Sequence, residues 1–131
     1  PATTTTAPTG TMAPITGTMH EVKMIGDTKG FRFEPASITI KAGDGIKFKN
    51  EGGGPHNVAF DPTSVPADVK AQLNANFGAD HDAQNDLSSK LTAVTAGDAI
   101  TISFANIKPG TYKTFCMPHK MMGMTGTITV Q

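Results

Sequence analysis

The chain has 131 residues, enough for one domain with a real core, and its 11 basic and 11 acidic residues cancel to a formal net charge of zero. That balance, with Lys and Arg nowhere clustered, excludes a broad nucleic-acid-binding face. No apolar run approaches the roughly 20 residues that a membrane-spanning helix needs, and a single cysteine cannot form an internal disulfide.

In chain order, residues 1–18, "PATTTTAPTGTMAPITGT", hold no charge and little to bury. Their composition predicts a flexible tail or linker ahead of a domain over residues 19–131. From "HEVKMIG" onward the apolar period is two. "ASITIKAGDGIKFKNE" places Ile38, Ile40, Ile46 and Phe48 on one face, and "KAGDG" supplies a turn. This predicts a hairpin-like pair of strands with one buried face. Val58 and Phe60 repeat the alternation in "PHNVAFDP". Residues 61–95 break it, and Val69, Leu73 and Phe77 fall at helical spacing. One or two short helices are expected there. "AITISFANIKPG", "TYKTFC" and "GTITV" return to strand character. The whole predicts an all-β, antiparallel Greek-key sandwich with a partly helical insertion.

The chemistry gathers near the C-terminus, in "TYKTFCMPHKMMGMTGTITV". Cys116, His119 and Met124 share one loop between two predicted strands. Thiolate, imidazole and thioether are soft or borderline donors that suit copper in both oxidation states. Zinc sites rarely use thioethers, and calcium or magnesium would call for oxygens. A blue-copper site needs a second histidine. Of His20, His56 and His81, His56 lies where a Gly/Pro turn enters a strand, in "GGGPHNVAF". His20 adjoins the tail, and His81 lies in the insertion between Asp80 and Asp82. His56 is therefore the expected second nitrogen. His20 and His81 read as solvated histidines, Asp80–Asp86 as a solvated acidic face, and Met121 and Met122 as surface apolar groups.

"GPHNVAFD" followed later by "GTYKTFCMPHKMMGMTGTITV" resembles the cupredoxins, plastocyanins and pseudoazurins above all. The likeness covers about residues 19–60 and 98–131. It implies one copper ion held by His56, Cys116, His119 and Met124, with Asn57 tying two ligand loops together. It also implies that His119 presents an edge to solvent, and that redox partner proteins dock around His119, Pro118, Met121 and Met122. Three departures stand out. His56 and Cys116 lie 60 residues apart, more than is usual in plastocyanins. Phe115 stands where plastocyanins commonly have a tyrosine, and Met121 and Met122 where they have small residues.

The expected function is a soluble, monomeric one-electron carrier, exported to the periplasm or another extracytoplasmic space, with the tail as a possible tether. An enzyme would need a further histidine cluster, which His20 and His81 do not make. A copper-binding or trafficking protein that uses the methionine-rich loop for Cu(I) is the alternative.

Overall fold

The computed structural model describes residues 12–92 and 98–131. Among the described residues, eight strands form two four-stranded sheets packed face to face. In one, β1 (Met19–Asp27), β2 (Gly30–Glu34), β4 (Gly45–Asn50) and β6 (Ala99–Ser103) lie in the order β2-β1-β4-β6. In the other, β3 (Ser37–Ile40), β5 (Ala59–Phe60), β7 (Gly110–Phe115) and β8 (Thr125–Val130) lie in the order β3-β8-β7-β5. The period-two pattern does what it must: Val22, Met24, Ile46, Phe48, Ile100 and Ile102 point inward from the first sheet. Ile40, Tyr112, Ile128 and Val130 meet them from the second. Burying each of the larger of these side chains contributes about 1.5–3 kcal/mol before chain entropy is subtracted.

The sandwich is as expected, but its strand pairing differs in two ways. The strands flanking "KAGDG" do not form a hairpin. β3 runs parallel to β8 while β4 runs parallel to β1 and antiparallel to β6, so the chain changes sheets at this turn. Ile40 and Ile46 are still both buried, because opposite sheets of a sandwich face the same core. Each sheet is therefore mixed, with one parallel pair beside antiparallel ones. The sequence pattern also left β2, "GFRFE", unrecognised; it pairs with β1 and delivers Phe33 to the core.

Among its described residues the insertion holds one α-helix, α1 (Ala67–Asn76), between short 3-10 turns at Pro62–Ser64 and Gly78–Asp80. Val69, Leu73 and Phe77 are buried as their spacing predicted. Of the predicted tail, residues 1–11 lie outside the described residues. Residues 12–18 are docked on the domain. Ala13 N–H donates to Asn76 Oδ1 at 3.0 Å, Thr16 and Gly17 N–H both donate to the Gly43 carbonyl, and Thr18 N–H donates to Asp44 Oδ1 at 2.8 Å. Composition alone misses such anchoring, because the segment's side of each of these bonds is a backbone N–H.

Candidate metal centre

Two loops from one end of the sandwich converge on a single sulfur. Cys116 follows β7 directly, and the β7–β8 ladder runs one step past the strands. Phe115 opposes Thr125, and Cys116 N–H then donates to the Met124 carbonyl at 3.1 Å. Directly opposed residues of an antiparallel pair carry their side chains on the same face. Cys116 and Met124 are accordingly both fully buried in the core. Between them a 3-10 turn, Met117–Met122, opens with Pro118 and closes on Gly123, whose φ of 85° suits glycine and turns the chain back. His119 N–H donates to the Cys116 carbonyl and its own carbonyl accepts from Met124 N–H, which ties all three loop positions together.

His56 enters from the loop after β4. Gly52, Gly53 and Gly54 all have positive φ, and a Cβ on Gly53 would lie 2.3 Å from Gly26 Cα. Only glycines fit this crossing, which explains "EGGGPH". The crossing brings the Gly52 carbonyl to 2.7 Å from His56 Nε2. A carbonyl only accepts, so Nε2 carries the proton and Nδ1 keeps its lone pair. Thr92 completes the support: its hydroxyl donates to the His56 carbonyl and accepts from His56 N–H and from the Asn50 amide.

His56 Nδ1 lies 3.9 Å and His119 Nδ1 3.5 Å from Cys116 Sγ. The three donor atoms fall within 4.8 Å of one another. His56 is completely buried, while His119 is 9 % exposed. Burial holds the thiol above its ordinary pKa, and the nearby backbones of Asn57 and His119 pull more weakly the other way. Burial, and then the proximity of His56, hold His119 below the ordinary imidazole value. Two imidazole Nδ1 atoms gathered on one buried sulfur form a donor set for a soft or borderline cation, and a thiophilic metal such as copper fits it.

His20 and His81 are elsewhere and are not the solvated residues expected. His20 Nε2 lies 2.8 Å from Asp44 Oδ2, and His81 Nε2 donates to Asn74 Oδ1 at 3.0 Å. The acidic residues of the insertion are locally engaged: Asp80 accepts from Thr101 N–H, Asp82 from Gln84 and Asn85, and Asp86 pairs with Lys70. Sequence reasoning missed Phe31. Its ring stacks on His119 with centroids 3.9 Å apart and planes 13° from parallel. The signal was "GFRFE": with period two, Phe31 shares a face with Phe33, and the strand then reaches the site. Asn57 does join loops, its Oδ1 accepting from Met117 N–H at 2.7 Å. Met121 is fully exposed, Met122 largely so, and Met117 less than half.

Residues 20–131 match the family described as copper binding proteins, plastocyanin/azurin family. Plastocyanin of Rumex obtusifolius is 40% identical over 111 residues, 85% of this chain and 99% of that protein. Plastocyanin of Nostoc punctiforme is 41% identical over 113 residues, 86% of this chain and 73% of that protein. Among solved structures, oxidized plastocyanin from Dryopteris crassirhizoma aligns with a TM-score of 0.63 at 34% identity, over 85% of this chain and 99% of that one. Pseudoazurin from Methylobacterium extorquens AM1 aligns with a TM-score of 0.55 at 29% identity, over 86% and 74%.

Proposed function

The chain belongs to the copper-binding plastocyanin/azurin family, and we propose that it holds one copper ion on His56, Cys116, His119 and Met124. It is a one-electron carrier and not an enzyme. Bound copper supplies the Cu(II)/Cu(I) couple. The protein's part is to keep the donors still. The Gly52 carbonyl fixes the His56 tautomer, Phe31 braces the His119 ring, and the extended β7–β8 ladder fixes Cys116 against Met124. Donors that hardly move make electron exchange cheap in reorganisation. The observation that carries the assignment is the aim of both Nδ1 atoms at one buried Sγ.

Electrons leave through His119, the more exposed imidazole, and redox partner proteins dock on Pro118, Met121 and Met122 beside it. Buried apolar contact surrounding a small polar point suits brief, weakly specific encounters. The carrier acts as a monomer outside the cytoplasm, in a periplasmic or comparable compartment, with its Thr/Pro-rich N-terminal segment as a tether. The test is a copper titration of the purified chain. One equivalent of Cu(II) should raise an intense visible thiolate-to-copper band that bleaches on reduction and returns on oxidation. A chain that takes up only Cu(I) and stays colourless would be a trafficking protein instead.

A further inference from the structure

The insertion after β5 contains a strained residue with an unusual set of neighbours. Leu87 is a buried leucine with φ of 55°, in the left-handed region that a bulky side chain rarely occupies. Two contacts hold it there: its N–H donates to Asn74 Oδ1 of α1 at 2.6 Å, and its carbonyl accepts from Phe60 N–H at 2.8 Å. Such strain persists only where the surroundings over-determine it, and it tends to mark a functional placement.

What the bend places is Ser88–Ser89, both buried, against the two ligand loops. Ser89 N–H donates to the Val58 carbonyl and its Oγ accepts from Val58 N–H at 2.9 Å. The Asn57 amide donates to Ser88 Oγ and to the Ser89 carbonyl, both at 3.2 Å. The other end of that amide accepts from Met117 N–H. The Ser88 hydroxyl lies 3.5 Å from Met117 Sδ and 3.0 Å from the Ser89 carbonyl, its two possible acceptors. The insertion thus grips both the residue after His56 and the residue after Cys116. The Cys116 sulfur itself lies 3.9 Å from Nδ1 of His56, the residue before Asn57.

We propose that Ser88 is a positioning residue for the copper thiolate, holding the Asn57 side chain and Met117 so that the loops carrying His56 and Cys116 stay together and the sulfur keeps its place beside the two imidazoles. This rests on the ligand set proposed above. Groups outside the donor set orient the donors and tune the metal they hold. Loosening Asn57 therefore shifts the reduction potential and the charge-transfer band.

The experiment compares wild type with Ser88→Ala, Ser88→Thr, Asn74→Ala and, as a control of purely structural cost, Val69→Ala on the buried face of α1. Copper-loaded protein gives the band position and potential. Metal-free protein gives the melting temperature and the alkylation rate of Cys116 with iodoacetamide. Ser88→Ala should shift the potential and the band and speed alkylation severalfold. Ser88→Thr, which keeps the hydroxyl, should move both back toward wild type. Asn74→Ala, which releases Leu87, should shift them in the same direction as Ser88→Ala and serves if the threonine does not pack. Val69→Ala should lower the melting temperature alone. If Ser88→Ala behaves like Val69→Ala, with band, potential and alkylation unchanged, Ser88 is merely structural and the proposal is overturned. If wild type shows no band at all, the ligand assignment fails, and alkylation of the metal-free chain still decides the role of Ser88.

Discussion

The two ends of this sandwich each bury a polar hub, and the hubs are finished differently. At the end where β4 begins, Asp44 accepts from Thr18 N–H on one oxygen and from Lys41 N–H and the His20 ring on the other. These partners, the Lys41 N–H first, pull its pKa down to about 2. At the end where β7 finishes, Cys116 faces two imidazole nitrogens, and burial pushes its pKa up. The protein itself completes the carboxylate's demand for positive partners. The sulfur is met instead by imidazole nitrogens, ligand atoms that, like itself, can each hold a cation. A hub closed by its own chain is structural, and one assembled from donors facing donors is a cation site.

The largest test of this contrast exchanges a single atom. Cys116→Ser should abolish the intense visible band of the copper-loaded protein, since that band needs the thiolate. Asp44→Asn should leave the band intact. An intense band that survives in Cys116→Ser would remove the thiolate from the site.

Asp44 should reveal itself in stability instead. Its folded-state pKa of about 2 lies below the ordinary carboxylate value, so its contribution is fully present above about pH 4 and lost as pH falls through about 2. Asp44→Asn should therefore cost about 2 kcal/mol at neutral pH and almost nothing near pH 2. Urea unfolding of the metal-free proteins across that range would measure the gap. A gap independent of pH would mean that the carboxylate charge does not hold the strap of residues 12–18.

Within the sulfur-centred end, Met124→Leu should keep the colour and raise the potential, because a weak donor to Cu(II) is lost. Met121→Leu and Met122→Leu should move it far less. A larger shift from Met122 would make that sulfur the ligand. Phe31→Leu should cost about 0.5–1.5 kcal/mol for the lost ring stack, read from thermal unfolding of the metal-free chain.

How far each end could be read from sequence follows from what makes its contacts. The cupredoxin sandwich and the Cys116, His119 and Met124 loop were legible, because alternation and short spacings are written along the chain. His56 was legible through the glycines before it. The strand exchange at "KAGDG" was not, since a turn of that composition serves a hairpin and a sheet crossing equally well. The strap at residues 12–18 was hidden because its bonds are made by backbone N–H groups. Ser88 and Phe31 were hidden because they reach the site from 28 and 88 residues away in sequence respectively, on elements with no chemistry of their own. No single-chain pattern marks a serine as the neighbour of a distant methionine.

The smallest effect expected is that of salt on electron exchange with a partner. If docking belongs to the Cys116 end, the contact is made by Met121 and Met122 around His119, with little fixed charge at its centre. Lys120 at the rim lies over the Phe115 ring, 4.2 Å from its centroid, and the chain is neutral overall. Exposed charges beyond about 10 Å are screened at ordinary ionic strength, so little long-range steering is available to lose. Stopped-flow rates should fall only modestly across a salt series. Met121→Glu should slow them about tenfold, because a carboxylate must then be desolvated at the contact, at a cost of roughly 1–3 kcal/mol. Asp80→Asn with Asp82→Asn should matter less, since both carboxylates are already committed to nearby N–H groups. A steep salt dependence that disappears in that double variant would move docking off the sulfur-centred end and onto the insertion.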